Sequence, residues 1–332
     1  MTGTITQRPV RAGSRIAGVG SFLPRRIVSN EEMCTMIDSS DEWIQQRTGI
    51  VERRWASDDE PLLLMVTEAS RKALAHAGIE ASQVDAIICA TVTHFSQTPA
   101  LAPLLAHELG ISDPAAYDVS AACAGYCYAL AQADALIRTG AATTVLVVGA
   151  ERLSDITDKG DRSTAFLFAD GAGATVVVAD DTPGIGPVVW GSDGSQGHVI
   201  AQTKDFRDAV PEGRMPTLAM DGKPVFRWAT TFIADAASKI LEETGVSPAE
   251  LDVFIPHQAN NRITDSMLRH LSLPEEVVVA RSIRHIGNTS AASVPIAMDE
   301  LLSSGQASSG QTALLIGFGA GLVYAGQVVA LP

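Results

Sequence analysis

The chain is short of positive charge. Lysine and arginine number 24 against 38 aspartates and glutamates, a net charge of −14. Sequence-independent binding of nucleic acid needs clustered Lys and Arg to neutralise phosphates. This balance therefore excludes a general nucleic-acid binder, and its plain meaning is solubility. Cysteine is scarce too. Cys34, Cys89, Cys123 and Cys127 are too few for a disulfide framework and lack the CxxC pairing of a zinc site, so a reducing, cytoplasmic setting is expected. No run of 18 uncharged apolar residues occurs, and no transmembrane helix is expected. The chain also lacks a GxGxxG strand–helix fingerprint, a P-loop and HExxH, so no nicotinamide cofactor, nucleotide hydrolysis or metal site is expected. Met1 to Ser14 is polar, with two arginines and no apolar core. It does not read as a secretory signal, and a loose tail is expected there.

What is present is the material of a large α/β protein. At 332 residues, 46% hydrophobic and 19% charged, the chain can bury one large core or two similar ones. It also repeats itself. Ala69–Thr91 (ASRKALAHAGIEASQVDAIICAT) resembles Ala236–Gln258 (AASKILEETGVSPAELDVFIPHQ), with Lys72, Leu74, Gly78 and Asp85 each 167 positions before Lys239, Leu241, Gly245 and Asp252. Each copy is an amphipathic helix closed by a glycine suited to a C-cap, a polar turn, and an apolar run that reads as a buried strand. A second pair, Asp134–Gly140 and Asp299–Gly305, is offset by 165 and leads to the apolar strands Val145–Val148 and Ala313–Ile316. Two strand–helix copies imply two similar halves about a pseudo-two-fold axis. The Pro- and Gly-rich stretch Asp180–Val188 suits the boundary, giving a tail at 1–14 and halves at 15–183 and 184–332.

Three polar residues stand at the ends of these units. The offset of 165 aligns Cys123 with Asn288, near the starts of corresponding helices. Small residues surround Cys123 (DVSAACAGYCYAL), and a helix N-terminus favours a nucleophilic thiolate with a lowered pKa. A buried structural thiol is the competing reading, and it suits the other three cysteines. His257 follows an apolar strand, where α/β folds place ligands, although a lone histidine is more often structural. His285 competes with it but sits among Arg281 and Arg284 and reads as exposed. Asn288, in GNTSAAS, is also compatible with a plain turn and helix cap. Gly317–Gly321 (GFGAG) could offer backbone N–H groups as an oxyanion hole or merely permit close packing.

With these residues in place, the chain resembles a β-ketoacyl-acyl carrier protein synthase III of the thiolase-fold superfamily, from about Arg15 to the C-terminus. The resemblance rests on SAACAG around Cys123, IPHQAN around His257, GNTSAAS around Asn288 and GFGAGL at Gly317–Leu322, with SSDEWIQQRTGI and DRSTAFLFADGAGA in support. It implies a five-layered α/β/α/β/α sandwich and a homodimer. It implies that Cys123 is acylated by an acyl-CoA primer and that the acyl group is then condensed with malonyl-acyl carrier protein, initiating fatty acid synthesis. His257 and Asn288 then stabilise the enolate left by loss of carbon dioxide, and the N–H groups of Cys123 and Ala320 form the oxyanion hole. Coenzyme A enters as part of the substrate, and no other cofactor is implied. Ser39, Trp43, Arg47, Arg162, Gly222, Phe226 and Asn260 match positions that hold coenzyme A. Arg227, Arg262 and Arg269 match a basic patch for the acidic carrier protein, Arg262 and Arg269 being two helical turns apart. Thr98 stands where narrow-pocket relatives carry a bulky aromatic reaching across the dimer into the acyl pocket, which implies acceptance of branched or longer primers. Three alternatives remain. They are a priming ketosynthase or acyltransferase of a polyketide pathway, a cysteine hydrolase, and a non-catalytic binding subunit, which usually lacks the nucleophile present here.

Overall fold

The computed structural model describes Ile5 and residues Arg8–Pro332. Two five-stranded sheets form the framework. The first runs in the order Gly13–Phe22, Asp170–Asp180, Thr144–Arg152, Ala86–Ala90, Ala115–Val119. The second runs Val189–Ser192, Val323–Ala330, Thr312–Gly319, Val253–Pro256, Val278–Val279. Numbered by appearance within its half, each sheet reads 1-5-4-2-3. In each, strand 2 pairs in parallel with strands 3 and 4, and the other two pairings, 4 with 5 and 5 with 1, are antiparallel. The repeat in the sequence is thus a repeat of topology, and the crossover between halves runs over residues 181–188.

The layers follow from which faces are apolar. Strands buried on both faces need no polar alternation, and successive residues serve opposite layers. Ile88, Val145 and Val147 of the first sheet and Ile255, Ala313 and Leu315 of the second close on two central helices, Gly125–Arg138 and Ser293–Ser303, through Ala129, Leu130, Ala133, Val294, Ala297 and Met298. Their neighbours Ile87, Leu146 and Val148 face outward onto helices Leu62–Ala77 and Leu101–Leu109. Phe254, Leu314 and Ile316 do the same onto Phe232–Thr244 and Asn261–Leu271. The result is the five-layered α/β/α/β/α sandwich. The two outer helices Leu62–Ala77 and Phe232–Thr244 end alike. Gly78 and Gly245 are left-handed (φ 65° and 73°), each followed by a capping box, Glu80/Gln83 and Ser247/Glu250. Asp85 then accepts the Thr143 N–H (2.6 Å), and Asp252 accepts that of Thr312 (2.8 Å), locking each parallel pair in register.

Two expectations change. A loose tail through Ser14 does not hold for the described part of it, while residues 1–4, 6 and 7 lie outside the described residues. Strand Gly13–Phe22 includes Gly13 and Ser14, the Arg11 N–H donates to Arg138 O (2.8 Å), and the Arg8 guanidinium donates to Gly140 O (2.8 Å). The carbonyls left unpaired at the end of helix Gly125–Arg138 supply the acceptors. The equivalence of Cys123 with Asn288 also shifts. The 14-residue helix Gly125–Arg138 corresponds to the 11-residue Ser293–Ser303, so the offset is 165 only at their C-terminal ends. At their starts it is 168. Ala122 (φ 43°) matches Ser290 (φ 48°), both left-handed without being glycine, and Cys123 matches Ala291.

Those two turns, Ala122–Ala124 and Ser290–Ala292, meet between the sheets. Gly149, in strand Thr144–Arg152, makes this possible, because a Cβ there would lie 2.2 Å from Ala291 O. Gly149→Ala must therefore displace backbone, and we expect a loss of about 2–3 kcal/mol and a fall in Tm of roughly 5 °C. Gly194→Ala, with open space around the added methyl, should stay within about 1 °C. Thermal unfolding of both variants checks the contrast, and equal Tm values would refute the packing argument.

Candidate active site

Cys123 sits in the three-residue turn that follows strand Ala115–Val119 and precedes helix Gly125–Arg138. It lies half-buried on the wall of a cavity of about 1130 Å³, together with Ala320, Ser290, Thr91, Phe168 and Leu153. Strand Thr312–Gly319 passes directly beneath it. A Cβ at Gly317 would come within 2.8 Å of Cys123 O, and one at Gly319 within 2.9 Å of Cys123 Sγ. The glycines of GFGAG therefore do permit close packing, and the same approach leaves Ala320 beside the nucleophile turn on the cavity wall.

His257 follows strand Val253–Pro256, and its N–H donates to Ile316 O (2.7 Å). The ring is buried, lies 5.3 Å from Phe318 in an edge-on contact, and places Nδ1 2.7 Å from Ser293 Oγ. Ser293 Oγ also accepts the Gln258 N–H (3.3 Å), and with its own proton given to Nδ1 the ring would carry its proton on Nε2. Burial pushes the imidazole down to about 3, so it is neutral at ordinary pH. Asn288 bridges to residues 167–169 through its N–H to Leu167 O and its O from the Ala169 N–H (both 2.9 Å). Its Oδ1 accepts the Ser290 N–H (2.9 Å). Among the described residues its Nδ2 has no protein acceptor and is left for something else.

One segment, residues 288–293, ties the three together. Asn288 holds Ser290, Ser290 lines the same cavity as Cys123, and Ser293 holds His257. His257 and Asn288 are buried beside the cavity lining, and Cys123 is part of it. The expected lowering of the thiol pKa is reversed. Burial pushes Cys123 up to about 12, with the Ser290 hydroxyl and its own amide acting in the opposite direction and the charge of Glu151 adding to the rise. Cys123 is the middle residue of the turn Ala122–Ala124, which precedes the first helical residue, Gly125.

Most of the residues matched to coenzyme A are linked by contacts to one another. Trp43 lies between Arg47 and Arg162, whose Cζ atoms are 5.7 and 5.2 Å from its ring centroid. Asn260 caps helix Asn261–Leu271 and donates to Arg47 O (3.0 Å). Arg262 lies 5.2 Å over Phe226, which shares helix Gly222–Thr230 with Gly222 and the exposed Arg227. Arg269 is exposed in the last turn of Asn261–Leu271. Ser39 has a buried hydroxyl with no hydrogen-bond partner. Thr98 is exposed and is not on the cavity wall, although Phe95, Ser96, Gln97 and Ala100 are. Sequence reasoning passed over Ser290, Ser293, Phe318 and, above all, Glu151. Glu151 is a fully buried carboxylate closing the apolar strand Thr144–Arg152, and an acid at the end of such a run was the available signal.

A duplicated five-layered sandwich with a cysteine turn at its centre is the thiolase fold of acyl-transferring condensing enzymes. Residues 117–194 match the family model for 3-oxoacyl-[acyl-carrier-protein] synthase III, and residues 241–331 match that for its C-terminal part. The chain is 55% identical over 322 residues to β-ketoacyl-[acyl-carrier-protein] synthase III of Streptomyces glaucescens, covering 96% of each chain. It is 49% identical over 333 residues to the mycobacterial β-ketoacyl-[acyl-carrier-protein] synthase III of Mycobacterium tuberculosis (strain ATCC 25177 / H37Ra), covering 99% of each. Among solved structures it resembles the priming β-ketosynthase of the R1128 polyketide biosynthetic pathway (48% identity, TM-score 0.97, 99% of each chain). It also resembles the 3-oxoacyl-[acyl-carrier-protein] synthase III of Aquifex aeolicus VF5 (37% identity, TM-score 0.89, 96% of this chain and 100% of that one). The chain belongs to the β-ketoacyl-[acyl-carrier-protein] synthase III family.

The contact beneath the thiol makes a direct test. Gly319→Ala puts a methyl against Sγ and must shift it, and displacement of a reacting atom by about 1 Å costs roughly 10²-fold in rate. The condensation rate should fall by about that factor with the circular dichroism spectrum unchanged. An unchanged rate would mean that the strand does not position the thiol.

Proposed function

We propose that the chain condenses an acyl-CoA primer with malonyl-acyl carrier protein, with Cys123 as nucleophile, to initiate fatty acid synthesis in the cytoplasm. The observation that carries this reading is the convergence of Cys123, His257 and Asn288 on residues 288–293, beside a cavity large enough for an acyl chain. Cys123 Sγ attacks the primer thioester, the C–S bond to coenzyme A breaks, and the acyl group remains on Cys123. Malonyl thioester then loses carbon dioxide. The charge passing to its thioester oxygen takes hydrogen bonds from His257 Nε2–H and Asn288 Nδ2–H, and the carbanion attacks the acyl-Cys carbonyl. The Cys123 and Ala320 N–H groups hold the resulting oxyanion until Sγ leaves. A neutral imidazole suits this work, since it donates Nε2–H without carrying a buried charge. No metal or redox cofactor is invoked.

The matched residues support the rest. Trp43, Arg47 and Arg162 offer a stacking face and two cations to the nucleotide end of coenzyme A, and we assign Ser39, Gly222, Phe226 and Asn260 to the rest of its binding path. Arg227, Arg262 and Arg269 are exposed for an acidic carrier protein. Strand Ala115–Val119 is a free sheet edge, suited to pairing with a second copy in a homodimer, in which Thr98 meets the partner's acyl pocket. A small Thr98 and the wide cavity favour branched or longer primers. A priming role in a polyketide pathway is the second reading, favoured by the likeness to the R1128 priming ketosynthase.

Intact-protein mass spectrometry after brief incubation with a panel of acyl-CoA thioesters should show a single acyl adduct that is absent in Cys123→Ala. Isobutyryl-CoA should label at least as fast as acetyl-CoA. Absence of any adduct would overturn the mechanism, and a clear preference for acetyl would overturn the primer assignment. Ser293→Ala removes the partner of Nδ1. Loss of one buried hydrogen bond is worth about 1–2 kcal/mol, so malonyl decarboxylation should slow roughly 10-fold while acylation of Cys123 is unchanged. Equal slowing of both steps would count against a role confined to His257.

A further inference from the structure

The helix Asp41–Thr48 carries Trp43 and Arg47, yet little of its own sequence holds it in place. It has eight residues, and isolated helices below about 12–15 residues are marginal in water. Only Ile44 and Thr48 of it are buried. Its position therefore depends on polar ties at its ends.

One buried amide makes two of these ties. Asn30, only 2% exposed, opens the helix Asn30–Met33. Its Nδ2 donates to Asp41 Oδ1 (2.7 Å), at the start of Asp41–Thr48, and to Ile50 O (2.8 Å), just beyond the end. Its Oδ1 accepts from the guanidinium of Arg53, which also donates to Val28 O (3.0 Å). Arg53 is fully buried in strand Glu52–Trp55. A guanidinium only donates, and a carboxylate and a carbonyl only accept, so the amide has a single orientation with both protons and its oxygen used. Gln45 Nε2 adds bonds of 2.8 and 2.9 Å to the same Asp41 carboxylate. At the other end, Asn260 donates to Arg47 O (3.0 Å). Gly49 (φ 83°) lies so close to Asn261 that a Cβ would meet its Nδ2 at 2.1 Å. The helix is thus tied to the first half by Asn30 and stopped against helix Asn261–Leu271 of the second.

We infer that Asn30, held in turn by Arg53, is a positioning residue for the nucleotide end of coenzyme A, which it serves by fixing the helix that presents Trp43 and Arg47. This rests on the assignment of Trp43, Arg47 and Arg162 to that end of the substrate. The Trp43 ring packs edge-on against Phe166 (5.4 Å) and lies 5.2 Å from the Arg162 guanidinium carbon, both on a different segment of the chain. A helix that slides or turns therefore carries Trp43 and Arg47 away from Arg162. Stacking and ion pairing on one ligand depend on that spacing. None of the hydrogen bonds of Asn30 runs to Cys123, His257 or Asn288. Arg53 is the less suitable residue to alter, because its Cβ packs on Gly287, next to Asn288.

The experiment compares the rate of Cys123 acylation by two donors of the same acyl group, acyl-CoA and the acyl-pantetheine thioester that lacks the nucleotide. Asn30→Asp keeps the acceptor for Arg53, removes both donors and sets a carboxylate against Asp41. Its kcat/KM with acyl-CoA should fall about 10-fold, chiefly through KM, while that with acyl-pantetheine is unchanged. Asn30→Asp combined with Asp41→Asn restores the tie with donor and acceptor exchanged, and should recover most of the loss. A loss confined to acyl-CoA supports the inference. A loss shared by both donors is what a merely structural role would give, and it overturns the inference, as do no loss at all and a double variant that recovers nothing. If Asn30→Asp does not fold, Asp41→Ala, which leaves Asn30 paired with Arg53, decides by the same comparison. A wild type acylated equally well by both donors would instead refute the assignment of Trp43 and Arg47 to the nucleotide, and this inference with it.

Discussion

The close approach of two backbone turns at the pseudo-two-fold axis is the constraint on which the site depends. Ala122–Ala124 and Ser290–Ala292 can meet only because side chains are missing where the sheets would otherwise hold them apart. Gly149 lets Ala291 O lie where a Cβ would be, and Gly317 and Gly319 let a strand run beneath Cys123. Gly125 faces Ala90 across a gap that a Cβ would narrow to 2.9 Å. The fold spends its strongest packing, two sheets closing on two shared helices, to hold these turns in place. That packing can sustain the left-handed φ angles of Ala122 and Ser290, a conformation that costs a non-glycine residue of the order of 1 kcal/mol or more.

Duplication explains how one fold supplies two kinds of group to one point. Each half contributes a turn at the start of its central helix, and the two have diverged. One turn carries the sulfur. The other carries no nucleophile at the matching position, Ala291, and instead brings Ser290, Asn288 and Ser293 as hydrogen-bonding partners. His257 arrives from the end of a strand in the second sheet, and its counterpart in the first half, 167 residues earlier, is Ala90, with Thr91 next to it. Thr91 helps to hold Glu151. The positions are shared and the chemistry is divided.

Much of this was legible in the sequence, for physical reasons. The strands are buried on both faces, so they read as unbroken apolar runs such as Ala86–Ala90. Helix ends are local events, so Gly78 and Gly245 mark them without tertiary help. Cys123, His257 and Asn288 stand out because polar residues at strand ends and helix starts have no packing reason to be there. What could not be read depends on distance in the chain. The equivalence of Cys123 and Asn288 failed because the second central helix is three residues shorter, and a constant offset conceals where a deletion falls. The rise in the thiol pKa was not legible because the helix end is a local feature, whereas the strand carrying Gly319, packed against Cys123, lies about 200 residues away. Glu151 escaped notice because its partners, Thr91, Val92 and Thr93, lie about 60 residues away.

Burial is the common cause of the site's electrostatics, and it acts on stability in opposite senses. His257 is held down to about 3 from an ordinary 6.5, so between those values the unfolded chain binds more protons and stability rises with pH. Glu151 is held up to about 7 from 4.5, so between those values the folded chain binds more protons and stability falls as pH rises. The two windows overlap from 4.5 to 6.5, where the slopes oppose each other. Above pH 9 both Cys123 and Cys127, each pushed up to about 12, turn the balance against the folded state, because the unfolded thiols ionise first. Burial thus keeps the imidazole neutral and the thiol protonated at neutral pH. A protonated thiol is a poor nucleophile until its proton has somewhere to go.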